Sequence, residues 1–534
     1  MNGILESVTV PSIPEMFYKS IANRRPLRVG LFAILMIMCL ACSKDSKYQP
    51  IDEDFCSQIH FDRHTRLSEQ LSPFADFINT KTGVYTLEEG DISMISRAWL
   101  SESAEKTIDI QYFIFSADNV GLIALDYLLR AADRGVKVRL LVDDIMVEAD
   151  ADELLALDAH PNLSIKIYNP TANIGKNLPQ KLLSLTTDFR GFNQRMHNKT
   201  FIVDGQVVIT GGRNIADEYF DYDHEYNFRD RDVLLIGKVS TVVQHSFDRF
   251  WADPLSVPVT DIVKTKEVGL DTATAYNYLH QYACNPENFW PQVREKIKAV
   301  PVAFDQIQKT GDLVWCDNVA FVSDIPGKNS GDFGLSGGGV SIDSLISLIK
   351  KAKYTINIQS PYLITTELSQ QLFLDAVKRG VQINILTNSL SSTDNLEAFS
   401  GYRRERETLL NTGIHIYEFK PDAEIRHELM TGAPQKKMNF TPIFGLHAKS
   451  MVIDSEIAVI GTFNLDPRSA NLNTECFAVV YDTTIAKKLF EALQNDMKPE
   501  NAWQTTSDYN PDEEAGWPKR IKVWFRGIVP KSVL

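Results

Sequence analysis

Residues 197–214 read HNKTFIVDGQVVITGGRN, and residues 447–464 repeat the pattern as HAKSMVIDSEIAVIGTFN. In both stretches a His is followed by Lys two residues later, Asp at seven, Gly at fourteen and Asn at seventeen. The two histidines, His197 and His447, lie 250 positions apart. One chain that carries the same pattern twice predicts a single site to which each half contributes one copy.

The duplication extends upstream of both motifs. Residues 107–144 and 355–389 each predict a strand, a loop, an amphipathic helix and a second strand. Gln111 and Gln359 occupy matching places 248 positions apart, close to the spacing of the histidines. The sequence therefore predicts an α/β fold of two pseudo-symmetric halves, each a mixed β-sheet flanked by helices, with the active site at their interface.

Each motif predicts a pair of short strands joined by a turn. Asp204-Gly205 is a typical hairpin turn, and Ser455-Glu456 is a weaker one at the matching place. Side chains two residues apart on a strand point to the same side, so the His and Lys of each copy can meet one phosphate. The motif aspartates are expected to fix the turns rather than to touch substrate.

The domain organisation follows from this repeat. We predict a signal-like or lipoprotein-like segment at 1–42, an N-terminal extension at 43–83, a first half at 84–255, a connecting insertion at 256–340, a second half at 341–500 and a basic, aromatic tail at 501–534. The tail alternates Lys and Arg with Ile, Val, Trp and Phe over 519–526, a composition typical of a segment at a membrane surface. Packing of the tail on its own domain is the alternative.

Bulk properties narrow the class of partner. The chain has 534 residues, 55 basic against 69 acidic, and a net charge of −14. Proteins that bind nucleic acid without sequence preference carry a basic surface, so this balance argues against a nucleic-acid partner.

The N-terminal region predicts export. A cluster of three arginines at 24–28 precedes an apolar run at 29–41, too short to span a bilayer comfortably, and then Cys42. This ending resembles a bacterial lipoprotein processing site, in which the cysteine is acylated, although Cys39 departs from the usual pattern. A membrane-associated, periplasmic, lipid-anchored protein is expected; a retained anchor or a buried helix are the alternatives, and Met16 is a second candidate start.

The remaining cysteines lack metal-site spacing, so no metal is expected. Export permits disulfides, and Cys284 with Cys316 is one possible pair because both lie in the connecting segment. Buried free thiols are the alternative. Cys476 lies in an apolar strand and is expected in the core.

The motif side chains suit attack on a phosphodiester. Such an anion needs positive donors for its oxygens, a nucleophile and an acid for the leaving oxygen. Two imidazoles can supply the last two roles, and covalent attack by one would give a phosphohistidine. No cofactor is required. The available groups are His197, His447, Lys199, Lys449, Asn214 and Asn464.

The paired pattern resembles the phospholipase D superfamily, whose mark is HxKxxxxD followed by GxxN. The downstream GGRNIADEYF and GTFNLDPRSANLNTE resemble its bacterial cardiolipin synthase branch. The resemblance covers roughly residues 84–500 and the tail. It implies a phosphatidyltransferase that makes cardiolipin from phosphatidylglycerol and a second phospholipid. The catalytic residues that it implies are His197, Lys199, Asp204, His447, Lys449 and Asp454, with Asn214 and Asn464 binding substrate.

The resemblance also implies roles that the symmetric copies leave open. His197 is the expected nucleophile and His447 the acid and then base; the reverse is the alternative. An acid on a later strand should orient each His, and Glu475 and Asp232 are the candidates, with Glu225 a rival to Asp232. Hydrolysis of phospholipids to phosphatidic acid, or an exported phosphodiesterase or nuclease, are the alternative functions.

Several other residues near the motifs have two interpretations. Arg213 and Arg468 flank the motifs and are candidates for headgroup contact or for ordinary ion pairs. Arg403 and Arg404 lie in a charge-rich helix and are expected on its solvated face.

Overall fold

The computed structural model describes residues 54–59, 66–144, 151–170, 193–263, 272–289, 291–328, 336–430 and 442–527. The segment predicted at 1–42, with Cys42, lies outside these residues. The strands are β1 (Thr82–Leu87), β2 (Thr107–Tyr112), β3 (Lys137–Asp143), β4 (Leu163–Tyr168), β5 (Thr200–Val203), β6 (Val207–Gly211), β7 (Tyr226–Arg229), β8 (Asp232–Gly237), β9 (Ser256–Pro258), β10 (Val314–Cys316), β11 (Val319–Ser323), β12 (Thr355–Gln359), β13 (Gln382–Asn388), β14 (His415–Phe419), β15 (Ile443–Leu446), β16 (Ser450–Ile453), β17 (Ile457–Gly461), β18 (Cys476–Val480) and β19 (Ala502–Thr505).

The helices alternate with these strands. They are α1 (Leu67–Leu71), α2 (Ala75–Ile78), α3 (Gly90–Ser103), α4 (Asn119–Asp133), α5 (Ala151–Asp158), α6 (Ser240–Ala252), α7 (Val259–Ile262), α8 (Thr272–Ala283), α9 (Pro291–Ile297), α10 (Ala303–Lys309), α11 (Val340–Lys351), α12 (Glu367–Lys378), α13 (Leu396–Asn411), α14 (Arg426–Leu429), α15 (Pro467–Asn471), α16 (Thr483–Asp496) and α17 (Trp517–Arg526). Within the described ranges, every helix is too short or too polar to cross a lipid bilayer.

Two large sheets carry the duplication. The first has the order β10-β1-β8-β6-β5-β2-β3-β4-β9, and the second β11-β18-β17-β16-β12-β13-β14-β19. Seven strands correspond in order: β8-β6-β5-β2-β3-β4-β9 of the first sheet match β18-β17-β16-β12-β13-β14-β19 of the second. The central strand of the repeat is β2 in the first sheet and β12 in the second. Each pairs in parallel with the next strand of the repeat, β3 or β13, and antiparallel with the motif strand, β5 or β16. The predicted α/β fold of two pseudo-symmetric halves with mixed sheets is confirmed.

An apolar layer joins the two sheets. Ile202 and Val208 of the first sheet belong to the same buried cluster as Val452 and Ile460 of the second. All four side chains are buried, and each buried aliphatic side chain of this size contributes about 1.5–3 kcal/mol of hydrophobic stabilisation. This shared core fixes the two halves against each other and so fixes the distance between their motifs.

The connecting segment joins both sheets. Its strand β10 pairs with β1 of the first sheet, and β11 pairs with β18 of the second. Strand β9 also lies in the predicted insertion, which therefore supplies both edge strands of the first sheet and one edge strand of the second.

The cysteine pairing differs from the expected one. Cys56 forms a disulfide with Cys284, and Cys316 is a buried free thiol. The suggested Cys284–Cys316 pair was wrong because Cys284 follows α8, beside the N-terminal extension, whereas Cys316 ends an edge strand of the first sheet. Cys476 is buried in β18, as expected.

Candidate active site

Each motif begins where the backbone of its own half is hydrogen-bonded to the backbone of the other half. The backbone N–H of His197 donates to the carbonyl of Thr474 at 3.0 Å, and that of His447 donates to the carbonyl of Arg229 at 2.8 Å. Strands β7 and β15 pair in parallel beside the second of these bonds. These backbone bonds place both histidines at the interface between the sheets.

The motif hairpins are alike in both copies. Asp204 and Gly205 have φ of 52° and 64°, and Asp454 and Ser455 have φ of 53° and 55°. Two consecutive left-handed residues make the tight turn that suits a twisted hairpin. The first turn lies where it was predicted, at Asp204-Gly205, whereas the second lies at Asp454-Ser455, one residue before the predicted Ser455-Glu456.

The motif aspartates hold these hairpins in the sheet. The carboxylate of Asp204 accepts from three consecutive backbone N–H groups at the start of β2, at 2.7–2.9 Å, and Asp454 does the same at the start of β12. Every carboxylate oxygen is therefore occupied by backbone donors. The turn-fixing role fits this geometry, and substrate contact does not.

His197 is held by a carboxylate of the second half. Its Nδ1 lies 2.8 Å from Oε2 of Glu475, and its ring meets Phe113 edge-on at 5.1 Å. Glu475 also accepts hydrogen bonds from the hydroxyls of Thr462 and Ser469. The carboxylate is therefore fixed on three sides, and Nε2 is the ring nitrogen left for chemistry.

His447 is held by a carboxylate of the first half. Its Nδ1 lies 2.6 Å from Oδ2 of Asp230. The ring packs against Tyr219 at 5.1 Å and Phe228 at 4.7 Å. Both histidines are nearly enclosed, with 7% of His197 and 6% of His447 exposed.

The structure places Asp230, not the predicted Asp232, beside a histidine, and Glu225 is exposed away from it. The acids are also exchanged between the copies. Glu475 follows the second motif but contacts His197, and Asp230 follows the first motif but contacts His447. The error came from counting residues along the chain. The first copy has extra residues between its hairpin and its acid, so distance from the histidine is a poor guide.

Strand register identifies the acid where spacing did not. Gly211, fourteen residues after His197, pairs with Asp232, and Gly461, at the same place in the second copy, pairs with Phe477. Two residues before each partner lie Asp230 and Glu475. A prediction of register across β6 and β8 would therefore have found Asp230.

Asp232 has a structural role instead. Its carboxylate accepts from Ser93 at 2.7 Å and from the Arg97 guanidinium at 2.9 Å, and also from the backbone N–H of Arg213. It lies in the first half with no exposed surface. Its loss would leave buried donors without a partner.

Two arginines beside Asp230 were missed by the sequence analysis. Arg229 contacts Asp496 of the second half, and Arg231 donates to Gln359 and Ser450 of the second half. Both also contact Glu88. Asp230 is therefore carried on a segment that is anchored on both sides to the opposite half, which fixes its position against His447.

The charges of the site favour neutral imidazoles and ionised acids. Burial, opposed by Glu475, lowers the pKa of His197 to about 4, and burial together with Lys449 lowers that of His447 to about 3. Burial alone would raise the pKa of Asp230, but His447 and Lys449 hold it below its usual range. A neutral imidazole with Nδ1–H directed at a carboxylate presents a free lone pair on Nε2.

The lysines of the two motifs interact electrostatically with the histidines of both copies. Lys449 Nζ lies 3.0 Å from Nε2 of His447, and Lys199 Nζ donates to the carbonyl of His197 at 2.9 Å. Burial lowers the pKa of Lys199 to about 8 and that of Lys449 to about 7. Each lysine also depresses the pKa of the histidine of the other copy. The four side chains therefore share one buried site.

The motif asparagines lie in the same region with different partners. Asn214 Oδ1 accepts from the backbone N–H of Ile114 at 3.1 Å, and its side chain bonds Tyr219. Asn464 is buried, and its Oδ1 has no hydrogen-bond partner among the residues that the structure describes. A buried amide oxygen of this kind is a ready acceptor for a polar ligand group.

The two arginines that flank the motifs differ. Arg213 is buried and donates to backbone carbonyls of Leu87 and Asp230, so headgroup contact is excluded by its position. Arg468 is half-buried, with Asn193 and Asn473 at 3.4 and 3.5 Å, so its contact with a headgroup stays a prediction.

Possible metal ligands cluster elsewhere. In the described part of the chain, the groups are Asp54 with Cys56 and Cys284, and Asp126 with His280 and Cys284. Each includes a cysteine of the disulfide, which has no thiolate to offer. Neither group touches the histidine pair.

Comparison with known proteins gives the family. The chain matches the family described as cardiolipin synthase, PLD-like domain, over residues 100–251 and 345–497, which together make up more than half of it. The chain therefore belongs to the cardiolipin synthase-like family of the phospholipase D superfamily. The two matched ranges contain the two motifs.

Individual relatives agree with this assignment. The chain is 33% identical to cardiolipin synthase C of Escherichia coli over 447 residues, which cover 83% of this chain and 90% of that protein. It is also 33% identical to an uncharacterized protein of Helicobacter pylori over 414 residues, 77% of this chain and 78% of that protein. Among solved structures, phosphatidylserine synthase of Haemophilus influenzae matches with a TM-score of 0.55 and 14% identity, over 87% of this chain and 100% of that one. This last likeness supports the fold.

Proposed function

We propose that this protein is a phosphatidyltransferase that makes cardiolipin from phosphatidylglycerol and a second phospholipid. The observation that carries the proposal is the pair of buried imidazoles, each held at Nδ1 by a carboxylate of the opposite half and each accompanied by a lysine. The relationship to cardiolipin synthase C supports the choice of substrate.

The proposed reaction has two displacements at phosphorus. Nε2 of His197 attacks, the bond to the headgroup oxygen breaks, and His447 gives that oxygen a proton. His447 then takes the proton of an incoming phosphatidylglycerol hydroxyl, which attacks the phosphohistidine and releases His197. Lys199 and Lys449 balance the charge of the phosphoryl oxygens.

Substrate binding prepares His447 for its role as an acid. Lys449 contributes to the low pKa of His447. A phosphodiester anion between the lysines opposes that effect, so the pKa of the imidazole rises when substrate binds. Proton donation is thereby restricted to the occupied site.

Transfer competes with hydrolysis, in which water replaces the lipid alcohol and the product is phosphatidic acid. The aromatic rings of Phe113, Tyr219 and Phe228 around the histidines favour transfer because they limit the access of water. Hydrolysis is retained as the second candidate function because it needs the same residues.

The test uses purified full-length protein and labelled phosphatidylglycerol vesicles, with and without phosphatidylethanolamine. Formation of cardiolipin with release of glycerol or ethanolamine supports transfer and identifies the donor. Phosphatidic acid alone would assign hydrolysis, whereas inert lipid with cleavage of added DNA would overturn both. A His197→Ala/His447→Ala double variant is the control for contaminating activity.

We further propose attachment to the membrane through acylated Cys42 on the periplasmic side. Radiolabelled palmitate should be incorporated by the parent chain and not by a Cys42→Ser variant. Equal labelling of both, or labelling of neither, would reject the anchor.

A further inference from the structure

The C-terminal helix α17 is anchored to the second half through one face. Val523 is buried, and Lys519 Nζ donates to the backbone carbonyls of Ser391 and Thr393 at 3.1 and 2.9 Å. Arg404 of α13 donates to the carbonyl of Gly527 at 2.8 Å. The orientation of the helix is therefore fixed by its inner face.

The opposite face of this helix is apolar and open. Trp517 is 72% exposed, Ile521 49% and Trp524 68%, and they follow one another at helical spacing along one stripe. Phe525 beside them is also exposed. Exposed tryptophan next to aliphatic carbon suits the boundary between water and lipid, where its ring and its N–H both find partners.

Two arginines complete this surface. Arg403 of α13 and Arg520 of α17 line a notch of about 390 Å³ together with Trp517, Ile521 and Trp524. We call these five residues the tail face. A guanidinium binds phosphate through paired N–H donors, so the notch combines groups for a lipid phosphate with groups for the carbon below it.

The local charge also suits an anionic surface. The chain as a whole has a net charge of −14. Helix α17 contains four basic residues and no acid over Trp517–Arg526, but Arg526 pairs with Glu397 and Lys519 faces inward. Arg520 and Lys522 are exposed, and basic residues near an anionic membrane surface each favour binding, so these two carry the attraction of the helix to such a surface.

The anchored face connects α17 to the histidine site. The loop that accepts the bonds from Lys519 continues into Asp394, whose carboxylate accepts from the hydroxyl of Tyr362 at 2.9 Å. Asp394 interacts electrostatically with both Lys519 and Lys449. One carboxylate therefore lies within reach of the tail helix and of the active-site lysine.

We propose that the tail face binds the headgroups of anionic phospholipids in a bilayer and thereby holds the opening of the histidine site against the membrane. Its effect on turnover rests on the proposed phospholipid substrate; the binding itself does not. The sequence pattern suggested a membrane-surface tail, and the structure adds the residues, the partner arginine of α13 and the link to Asp394.

The test is a site-specific measurement, because attachment at the N-terminus could otherwise mask it. An environment-sensitive fluorophore is placed on the full chain at Phe525→Cys, and on a matched control at Tyr354→Cys, where the native side chain is 68% exposed. Phosphatidylglycerol vesicles should shift the emission at position 525 to shorter wavelength and leave position 354 unchanged. Equal shifts at both positions, or none at 525, would overturn the proposal.

The arginines are tested in the same labelled chain. Arg403→Gln/Arg520→Gln should weaken the response to phosphatidylglycerol vesicles by at least about tenfold in lipid concentration and leave the weak response to phosphatidylcholine unchanged. A response that is identical for the two lipids would reject recognition of anionic headgroups. Arg403 pairs with Asp512, but Asp512 keeps its second partner, Arg406, so this variant should keep a melting temperature close to that of the parent.

Turnover separates this proposal from the proposed function. Trp517→Ser/Ile521→Ser/Trp524→Ser should lower turnover of phosphatidylglycerol in vesicles about tenfold or more and leave turnover in detergent micelles unchanged. Equal loss in both would indicate a structural role for the helix. If no variant and no parent protein transfers lipid, the proposed function fails while the fluorescence result still decides the binding.

Discussion

The two motif copies share a fold, but they hold their histidines differently. In both copies the lysine donates to the backbone carbonyl of its own motif histidine. In the first copy Glu475 is also fixed by two hydroxyls. In the second copy Lys449 additionally lies against the imidazole of His447, and two aromatic rings cover that imidazole. The pKa of both imidazoles is depressed, more so in the second copy.

This difference shows which part of a duplicated site is free to diverge. Three features are shared by both halves: the carboxylate given to the histidine of the other half, the aspartate that fixes the turn, and the backbone hydrogen bond between the halves. They are shared because each half helps to position the histidine of the other. The surroundings of each ring are different, as expected if the two imidazoles perform the different steps of the proposed reaction. The following experiments test that separation.

The largest effect is expected from the histidines. His197→Ala should remove turnover completely, and His447→Ala should lower it by about 10²- to 10⁴-fold, the range for loss of a general acid and base. In a rapid quench with labelled lipid, the His447 variant should retain label on the protein because His197 still attacks. Label on the His197 variant alone would reverse the roles.

The next effect separates Asp230 from Asp232. Asp230→Asn should lower kcat by about 10²-fold or more because the amide no longer fixes the Nδ1–H tautomer of His447. Nitrogen NMR of the labelled ring should report the change of tautomer, a signal that a merely structural loss would not give. Asp232→Asn is the matched control.

The control should fail in a different way. Asp232→Asn leaves the buried Arg97 without its carboxylate, so it should lower the melting temperature and leave the ring spectrum of His447 unchanged. If Asp232→Asn altered the ring and Asp230→Asn did not, the identification of the orienting acid would be wrong.

The predictable part of this site is the part encoded locally. Hairpin turns, the two-residue spacing of His197 and Lys199 and the duplicated order of strands all depend on residues close in sequence, although His197 and Lys199 lie just before β5 and not on the strand itself. Asp230 could not be found by spacing, because chain length between a hairpin and the next strand varies while register does not. Its contact with His447 also depends on how the halves pack, which no local pattern records.

The disulfide and the tail show the same limit. Cys56 and Cys284 are separated by 228 residues, so nothing in their surroundings indicates the pairing. Composition identified α17 as basic and aromatic, but only packing against α13 distinguishes Val523, which is buried, from Trp524, which is exposed. Arg403, expected on a solvated face, is exposed but pairs with Asp512 and belongs to the tail face.

The lysines should give a smaller, pH-dependent effect. In the free enzyme the pKa of Lys449 is about 7 and that of Lys199 about 8. As pH rises through these values each ammonium loses its charge, so kcat/KM should fall first near pH 7. Toward acid pH the imidazoles stay neutral until pH approaches about 4, the pKa of His197.

Arginine variants test which lysine sets the first decline. Lys449→Arg keeps its charge at every working pH, so the alkaline limb of kcat/KM should move up toward the value of Lys199. Lys199→Arg should leave the decline near pH 7 in place. If the alkaline limbs of kcat/KM coincided in the two variants, the two lysines would have the same pKa, and the predicted difference between the copies would be wrong.

The smallest effect concerns the hairpin turns, where the copies differ by one residue. Ser455 has φ of 55°, whereas the first copy has Gly205, with φ of 64°, at the matching place. A left-handed conformation costs a non-glycine residue about 1–2 kcal/mol, and the greater freedom of glycine in the unfolded chain offsets about 0.4–1 kcal/mol of that.

Ser455→Gly should therefore raise the free energy of unfolding by about 0.5 kcal/mol. Gly205→Ser should lower it by a similar amount without a clash, since an added Cβ would meet only Gln244 Oε1 at 3.8 Å. Thermal unfolding of the two variants should shift in opposite directions by roughly 1 °C with activity unchanged; shifts of the same sign would show that the two turns are not interchangeable.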